Sequence, residues 1–556
     1  MNIKEEQARW FKQDLPDELR FDLALGADLE DAFYCDLSFG TGGMRGKLGA
    51  GPNRINLYTI RRAAFGVAKW LQADDPSAKR SVVIAYDSRI HSRDFAEESA
   101  KVLAKAGIRV FLSDELRPTP ELSFLVRDLQ ASAGIMITAS HNPALYNGFK
   151  VYDATGGQIT PAAADQIMGF MAEQRDLFAI QTAERTDPLI QMIGDAADAA
   201  YLQALKAVFI RPEMLAAKGA NLSICYTPLH GAGRKLVTEG LLQNGFTNVQ
   251  LVEQQTWPDG NFWTVRSPNP EEPDSFRQAI STTKPGTDLI FATDPDSDRL
   301  GVAVPASSKG EFQILTGNQL GTLLLDYLIT GKKENGTLQP NEELVTTIVT
   351  SDLGRKIATH HGVHHVETLT GFKFIGEEIA RLENTLDYHF LFGYEESYGY
   401  LAQPFVRDKD AVQAAVLTAE MCLYHKLNGQ TLHDRLDALY QAFGYHLEEL
   451  KTYTFEGQAG AAKIASIMET LRNEPADFFG EEVVDKVDFL TQTTAYPHLP
   501  KADVLSFTFT DGTKLFIRPS GTEPKCKCYI QAVGKSRRQA EASLTRTAQQ
   551  IEPLFH

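Results

Sequence analysis

Ser81-Val82-Val83-Ile84-Ala85-Tyr86 is a short, unbroken apolar run. Its length and β-branched residues read as a strand buried on both faces. Phe95 to Ala106 has helical spacing, and Arg109-Val110-Phe111-Leu112 and Ala133-Gly134-Ile135-Met136-Ile137-Thr138 read as the next strands. Strands alternating with helices imply a parallel sheet with helices on its faces. The rhythm restarts at Asn221–Tyr226 and continues through Val249–Val252 and Asp288–Thr293. It restarts again at Leu344–Val349, His364–Thr368 and Tyr388–Phe392. Three α/β domains of related architecture follow, with no repeat at the level of residues. Upstream, residues 1 to about 36 read as an amphipathic helical extension.

The tail differs. Val504-Leu505-Ser506-Phe507-Thr508-Phe509 and Lys514-Leu515-Phe516-Ile517 flank Asp511-Gly512, a hairpin signal. A smaller α+β domain with antiparallel strands is expected there. The fold class is therefore α/β: three doubly wound domains plus a smaller C-terminal α+β domain. The expected boundaries are 1–215, 216–322, 323–445 and 446–556. Four domains suit 556 residues, at roughly 100–200 residues each.

Composition excludes several classes. With 72 acidic and 55 basic residues the net charge is −17, which argues against a nucleic-acid partner. No apolar run approaches the roughly 18 residues of a membrane span, and the polar start Met1–Glu6 does not resemble a signal peptide. The five cysteines are scattered, so no disulfide framework is suggested and a reducing cytoplasm is expected. Cys526 and Cys528 form C-x-C, but no second Cys or His pair accompanies them, so core packing is the expected role.

The chemistry-bearing loops sit at predicted strand ends. Asp294-Pro295-Asp296-Ser297-Asp298-Arg299 follows the strand Leu289–Thr293, and ligands in open α/β sheets bind at the carboxyl ends of strands. Three carboxylates this close repel one another, and all-oxygen donors suit a hard cation such as Mg²⁺. An EF-hand is excluded, because its sixth and twelfth positions would be Arg299 and Pro305 rather than Gly and Glu. An aspartyl-nucleophile phosphatase, with Asp294 attacking, stays open from these residues alone.

Thr138-Ala139-Ser140-His141-Asn142-Pro143 ends the strand Ala133–Thr138. A serine hydroxyl needs a base or a metal, or must already carry a phosphoryl group. Ser140 is the candidate nucleophile and His141 its neighbour; a plain Ser/Asn turn remains the alternative. Phe39-Gly40-Thr41-Gly42-Gly43-Met44-Arg45-Gly46 lacks dinucleotide and P-loop spacing, though Arg45 suits an anion. Arg518-Pro519-Ser520-Gly521-Thr522-Glu523-Pro524-Lys525 combines a guanidinium, hydroxyls and a Gly amide, a donor set for phosphate. Thr370-Gly371-Phe372-Lys373 and Glu395-Glu396-Ser397 follow strands of the third domain, and the carboxylate and hydroxyl of the latter suit sugar hydroxyls. Lys409, in Arg407-Asp408-Lys409-Asp410, suits acid/base work if cations around it lower its pKa.

Taken in order, these loops resemble the α-D-phosphohexomutase superfamily over nearly the whole chain. The glycine loop Phe39–Gly46, Thr370–Ile375 and Gly393-Tyr-Glu-Glu-Ser-Tyr-Gly399 resemble its phosphoglucomutase branch, close to the phosphoglucomutase/phosphopentomutase enzymes. The phosphomannomutase type usually reads Gly-Glu-Met-Ser-Gly-His at the sugar loop, which the Glu395-Glu396-Ser397 form disfavours. The resemblance implies four domains around a central cleft, with Ser140 phosphorylated in the active form. It implies one Mg²⁺ on Asp294, Asp296, Asp298 and a phosphoserine oxygen of Ser140. Arg45 and Lys150 would serve the reacting phosphate, with Lys409 or His141 handling protons. Thr370, Gly371, Lys373, Glu395, Ser397 and Arg299 would bind substrate. Arg518, Ser520, Gly521, Thr522 and Lys527 would hold the distal phosphate. The implied reaction interconverts glucose 1-phosphate and glucose 6-phosphate through glucose 1,6-bisphosphate. Phosphopentomutase or phosphomannomutase activity and a metal-dependent sugar phosphatase are the alternatives. Partners are small sugar phosphates, without nucleic acid or membrane, on a monomer or weak homodimer.

Overall fold

A computed structural model describes residues 3–26, 28–40, 43–73, 79–306, 311–455, 457–473, 483–491, 499–520 and 525–555. The strand Ser81–Tyr86 lies inside a seven-stranded sheet, parallel to Arg109–Ser113 on one side and Ala133–Ile137 on the other. The second sheet has Leu289–Thr293 and Val249–Leu251 parallel to Ile224–Thr227. The third has His364–Thr368 and His389–Glu395 parallel to Glu342–Thr347. These are the strands expected from the apolar runs, and the α/β class holds.

The sheets are mixed rather than purely parallel. Ala133–Ile137 pairs antiparallel with Tyr146–Asp153, Leu289–Thr293 with Leu300–Pro305, and His389–Glu395 with Gly399–Leu401. Each domain therefore turns back on itself directly after one parallel strand. The three turns carry Ser140, the three aspartates and Glu396-Ser397, so all three loops occupy the same architectural position. An isolated bridge between Arg299 and Gly399 ties the second turn to the third.

One core serves all three sheets. Phe124 and Met136 of the first domain share it with Tyr226 and Phe291 of the second and Leu344 and Phe392 of the third. The helix Ala411–Leu427 is its axle: buried on nearly every face, it packs on the helix Arg234–Gln243 and the strand Leu289–Thr293. A helix apolar all round is what such a position demands. The opposite face of the first sheet has a separate core of its own. At the N-terminus, helices Ile3–Phe11, Asp17–Leu25 and Leu29–Phe33 close over Trp10, which meets Phe33, Tyr58 and Phe178 edge-on.

The tail is a five-stranded antiparallel sheet, with more strands than the one strand and the strand pair expected from sequence: Tyr445–Thr454, Lys525–Gly534, Lys514–Pro519, Leu505–Phe509 and Val483–Asp488 in that order. The Asp511-Gly512 hairpin is present, with Gly512 at φ 85 and Asp511 Oδ1 accepting from the Thr513 amide at 2.9 Å. Cys526 and Cys528 face the buried side and pack beside Ile517 and Ile530. This sheet rests on the third domain through a small cluster in which Ile348, Val349 and Leu369 meet Phe489, Phe516 and Tyr529. Among the described residues, no helix is long and apolar enough to cross a membrane.

Candidate active site

Ser140 is 1% exposed and takes φ 52, the left-handed region. A non-glycine residue held there costs energy and needs surroundings that enforce it. The enforcement comes from Arg89. Its buried guanidinium donates to the carbonyls of Ser140 (2.5 Å), Tyr146 (2.8 Å), Pro143 (3.0 Å) and Asn142. Asp87 braces the other side: it accepts from Thr138 Oγ1 at 2.6 Å and Ser92 Oγ at 2.7 Å, and it pairs with Arg89 at 3.4 Å. Thr138 Oγ1 in turn accepts from the Ser140 amide at 2.7 Å. Neither Asp87 nor Arg89 was anticipated. Their position was a signal, because Asp87-Ser88-Arg89 directly follows the strand Ser81–Tyr86, the strand-end position that the Ser140 and aspartate loops also take.

The serine faces the aspartate loop. Ser140 Oγ donates to Asp294 Oδ2 at 2.7 Å, across the boundary between the first two sheets. Asp294 Oδ1 accepts from the amides of Arg299 (3.0 Å) and Asp298 (3.1 Å), which curls the loop around it. Asp296 Oδ2 accepts from Lys150 Nζ at 2.7 Å and Thr119 Oγ1 at 2.8 Å. Asp298 Oδ2 meets Lys150 Nζ at 3.0 Å and Lys409 Nζ at 3.2 Å. Thr119 opens the helix Thr119–Asp128 and has no sequence signal of its own.

The electrostatics of the triad are uneven. Burial, then repulsion from Asp296 and Asp298, pushes the Asp294 carboxyl well above the usual carboxylate range. Burial acts the same way on Asp298, but Lys150, Lys409 and Arg299 outweigh it and hold that group ionised. The three buried side chains each offer an oxygen within 4.8 Å of the others, an arrangement able to hold a metal ion. Asp296 Oδ1 and Asp298 Oδ1 are buried without a hydrogen-bond partner. Orphaned carboxylate oxygens of this kind are unfavourable unless a cation meets them, so the donor set fits a hard divalent ion.

Lys409 departs from expectation. It lies among carboxylates rather than cations, 3.0 Å from Asp408 and 3.2 Å from Asp298. Burial lowers its pKa, but Asp298, Asp408 and Glu395 more than offset that, and it is held as a cation. Lys150 is likewise raised, with Asp296 and Asp298 overcoming burial. His141 moves the other way. Burial, then Arg299 and Arg45, depress it well below its usual value, so it is neutral, with Nδ1 3.2 Å from Ser140 Oγ. Arg45, on the strand Gly43–Lys47, donates to Asn142 Oδ1 at 3.3 Å and keeps a buried Nε unpartnered.

The third turn closes the far side. Glu395 is buried and accepts from the Gly371 amide at 2.7 Å, joining the two loops of that domain, and Gly371 takes φ 120 there. Thr370 Oγ1 is buried without a partner. Ser397 is half-buried in the turn itself. Burial and then Glu395 push Glu396 up to about 7. Arg299 pairs with Glu271, a residue with no part in the motifs read from sequence. In the C-terminal sheet Arg518 lies across from Lys527, and the Ser520 amide donates to the Lys525 carbonyl at 2.8 Å. Burial lowers Lys373 and Lys527; Arg518 adds to both, and Arg299 adds to Lys527. Cations from three domains therefore converge. Gly521 and Thr522 lie outside the described residues.

Four domains match in sequence order. They are the alpha/beta/alpha domains I, II and III of phosphoglucomutase/phosphomannomutase over 36–177, 199–308 and 316–443, and its C-terminal domain over 456–547. The chain belongs to the phosphoglucomutase/phosphomannomutase family. It is an enzyme of the isomerase class, an intramolecular phosphotransferase. Staphylococcus aureus phosphoglucomutases are similar at 39% identity, for strain RF122 over 518 residues and 91% of each chain. Among solved structures, the Paramecium phosphoglucomutase pp63/parafusin in its open form shares the fold, with TM-score 0.70 and 19% identity over 94% of this chain and 95% of its own. A phosphoglucomutase/phosphomannomutase family protein from Burkholderia thailandensis does so at TM-score 0.67 and 17% identity, over 93% and 97%.

Proposed function

We propose that this family member is a phosphoglucomutase that works through a phosphoserine at Ser140 and a glucose 1,6-bisphosphate intermediate. The observation that carries the reading is the 2.7 Å hydrogen bond from Ser140 Oγ to Asp294 within the buried aspartate triad. A phosphoryl group on that oxygen would stand between the triad and the cations Arg45 and Lys150. Catalysis of phosphoryl transfer is mainly positioning and charge stabilisation, and this arrangement supplies both.

Asp294, Asp296, Asp298 and a phosphoserine oxygen would hold one Mg²⁺, which when bound would supply charge stabilisation at the transferring group. In the first half-reaction the bond from phosphorus to Ser140 Oγ breaks as a hydroxyl of glucose 1-phosphate bonds to phosphorus; that hydroxyl gives up its proton and Ser140 Oγ takes one up, so the serine is left as a free hydroxyl. The bisphosphate then turns over. In the second half-reaction Ser140 Oγ attacks the other phosphate, and glucose 6-phosphate leaves. Neutral His141 is in the state to take the Ser140 proton during that attack. Lys409 carries a proton already and acts first as a donor or as charge. Thr370, Gly371, Glu395 and Ser397 would bind the sugar. Lys373, Arg299, Arg518, Ser520, Gly521, Thr522 and Lys527 would hold the distal phosphate. The working units divide near residues 215, 322 and 445, with the cleft between them.

The test measures conversion of glucose 1-phosphate, mannose 1-phosphate and ribose 1-phosphate, together with free phosphate release, for the wild type and Ser140→Ala. The expected result is the highest specificity constant for glucose 1-phosphate, dependence on bisphosphate, and loss of turnover in the variant. Mutase activity retained by Ser140→Ala would sink the proposal, and net phosphate release would favour the phosphatase.

A further inference from the structure

Glu271 belongs to none of the loops assigned above, yet its carboxylate pairs with Arg299 Nη1. The two side chains are mostly buried, 25% and 16% exposed, so solvent screens the pair less than one on the surface. Among the described residues Arg299 has no equivalent second carboxylate: Asp298 Oδ1 stands at 3.9 Å from its Nε, which is buried without a hydrogen-bond partner. Glu271 also acts on Lys527 of the C-terminal sheet and on Glu396 of the third domain. A single carboxylate thus stands where cations from the second and fourth domains converge.

Its place is fixed by the chain around it. The Glu271 amide donates to Asn269 Oδ1 at 3.2 Å, and Ser275 Oγ donates to the Asn269 carbonyl at 2.6 Å. A Cβ added to Gly301 would come 2.8 Å from the Pro270 carbonyl, so glycine lets the segment lie against the strand Leu300–Pro305. Ser267 Oγ, on the same segment, donates to the His141 carbonyl at 2.7 Å. Glu271 is therefore held at the cleft rather than swinging in solvent.

A carboxylate and a phosphate are rival partners for a guanidinium, because both present paired anionic oxygens to its fork. We infer that Glu271 is a built-in counter-ion for the anion site formed by Arg299 and Lys527, which the distal phosphate of the substrate must displace. The inference rests on the reading of Arg299 and Lys527 as phosphate ligands. Glu271 acts through Arg299 and is a positioning residue rather than a catalytic one. Its consequence is selective: a fraction of molecules has the site occupied from within, and apparent affinity falls by that fraction. A dianionic phosphate displaces the carboxylate more readily than a singly charged anion does, which favours true phosphorylated ligands over other acids.

Calorimetric titration of inorganic phosphate into the full-length chain tests this, with steady-state kinetics alongside. The variants are Glu271→Gln, Glu271→Ala, the exposed neighbour Glu272→Gln, and Arg299→Ala. Loss of Glu271's charge should tighten phosphate binding about five- to tenfold, in both Glu271 variants. KM should fall by a similar factor while kcat stays within about twofold, a split that general damage to the fold would not produce. Glu272→Gln should match the wild type. Phosphate affinity unchanged or weakened by both Glu271 variants, while Arg299→Ala weakens it, overturns the inference alone. Phosphate affinity untouched by Arg299→Ala removes the underlying reading, and the inference with it.

Discussion

The first three domains and the C-terminal domain are joined to the site in different ways. Serine, aspartate and sugar loops stand on three sheets that share one core, threaded by the helix Ala411–Leu427. The C-terminal sheet has its own core, and its contacts with the rest include a few apolar side chains, the pair Lys514–Asp352 at 2.9 Å, Gln531 Nε2 donating to the Val349 carbonyl at 2.7 Å and His446 beside Lys356 at 3.0 Å. Groups that transfer the phosphoryl group need fixed distances, and a common core provides them. On the proposed reading the C-terminal domain grips the remote phosphate and needs to let go between turnovers, and a small interface permits that.

The sharpest way to break this contrast is to damage each part and ask which kinetic constant moves. Ser140→Ala should lower turnover at saturating substrate by on the order of a thousandfold or more, with the unfolding temperature near that of the wild type. A variant whose loss is recovered by raising substrate would place Ser140 in binding instead.

The next effect in size concerns the seam. Phe516 is 5% exposed and reaches from the C-terminal sheet into the cluster with Ile348 and Leu369. Phe516→Ala should weaken docking by about 3 kcal/mol. Calorimetry should then resolve a separate, earlier transition for the C-terminal domain, while the three-domain block melts as before. One cooperative transition shifted as a whole would show the four domains to be a single unit.

Arg518→Ala follows. Loss of one guanidinium from a phosphate site should raise KM about ten- to a hundredfold and leave kcat far less changed. An equal fall in kcat would mean that the C-terminal domain takes part in the chemical step, contrary to the division drawn above.

What the sequence disclosed follows the same line. Buried parallel strands announce themselves as apolar runs, so Ser81–Tyr86 and Leu289–Thr293 were legible nearly to the residue. Short antiparallel returns such as Gly399–Leu401 are fixed by tertiary pairing, and nothing local marks them. The Ser140 loop alone was open to a plain-turn reading; it was the ordered set of loops that singled out Ser140 and the aspartates, which the structure brings together at 2.7 Å. Arg89 stands at a strand end too, but its role was not legible, because it holds four carbonyls that lie 51 or more residues away in sequence. The surroundings of Lys409 were hidden for a related reason: Asp298 comes from another domain, and chain order does not reveal that the two meet.

The smallest effect tests the junction itself. His446 is the second residue of the strand Tyr445–Thr454, where the chain passes from the third domain to the fourth, and it is 2% exposed. Its Nε2 lies 3.0 Å from Lys356 Nζ on the helix Asp352–His360, and that ammonium also donates to the Phe443 carbonyl at 3.1 Å. The imidazole must therefore be neutral and accept. Burial, then Lys356, lowers its pKa to about 4, with Asp352 opposing and Arg355 assisting. The unfolded chain takes up this proton near pH 6.5 and the folded one refuses it. His446 thus has no effect on stability above that pH and subtracts progressively as pH falls towards 4. At about 1.4 kcal/mol per unit, the loss is about 1.4 kcal/mol at pH 5.5. If the seam is the weak point, acid should release the C-terminal domain first. KM should then climb between pH 6.5 and 5.5 in the wild type, and the C-terminal melting transition should drop with it. His446→Gln should flatten both curves over that interval, since an amide oxygen can still accept from Lys356 but takes no proton. An acid limb unchanged in the variant would remove His446 from the junction's pH response and leave the apolar cluster as its determinant.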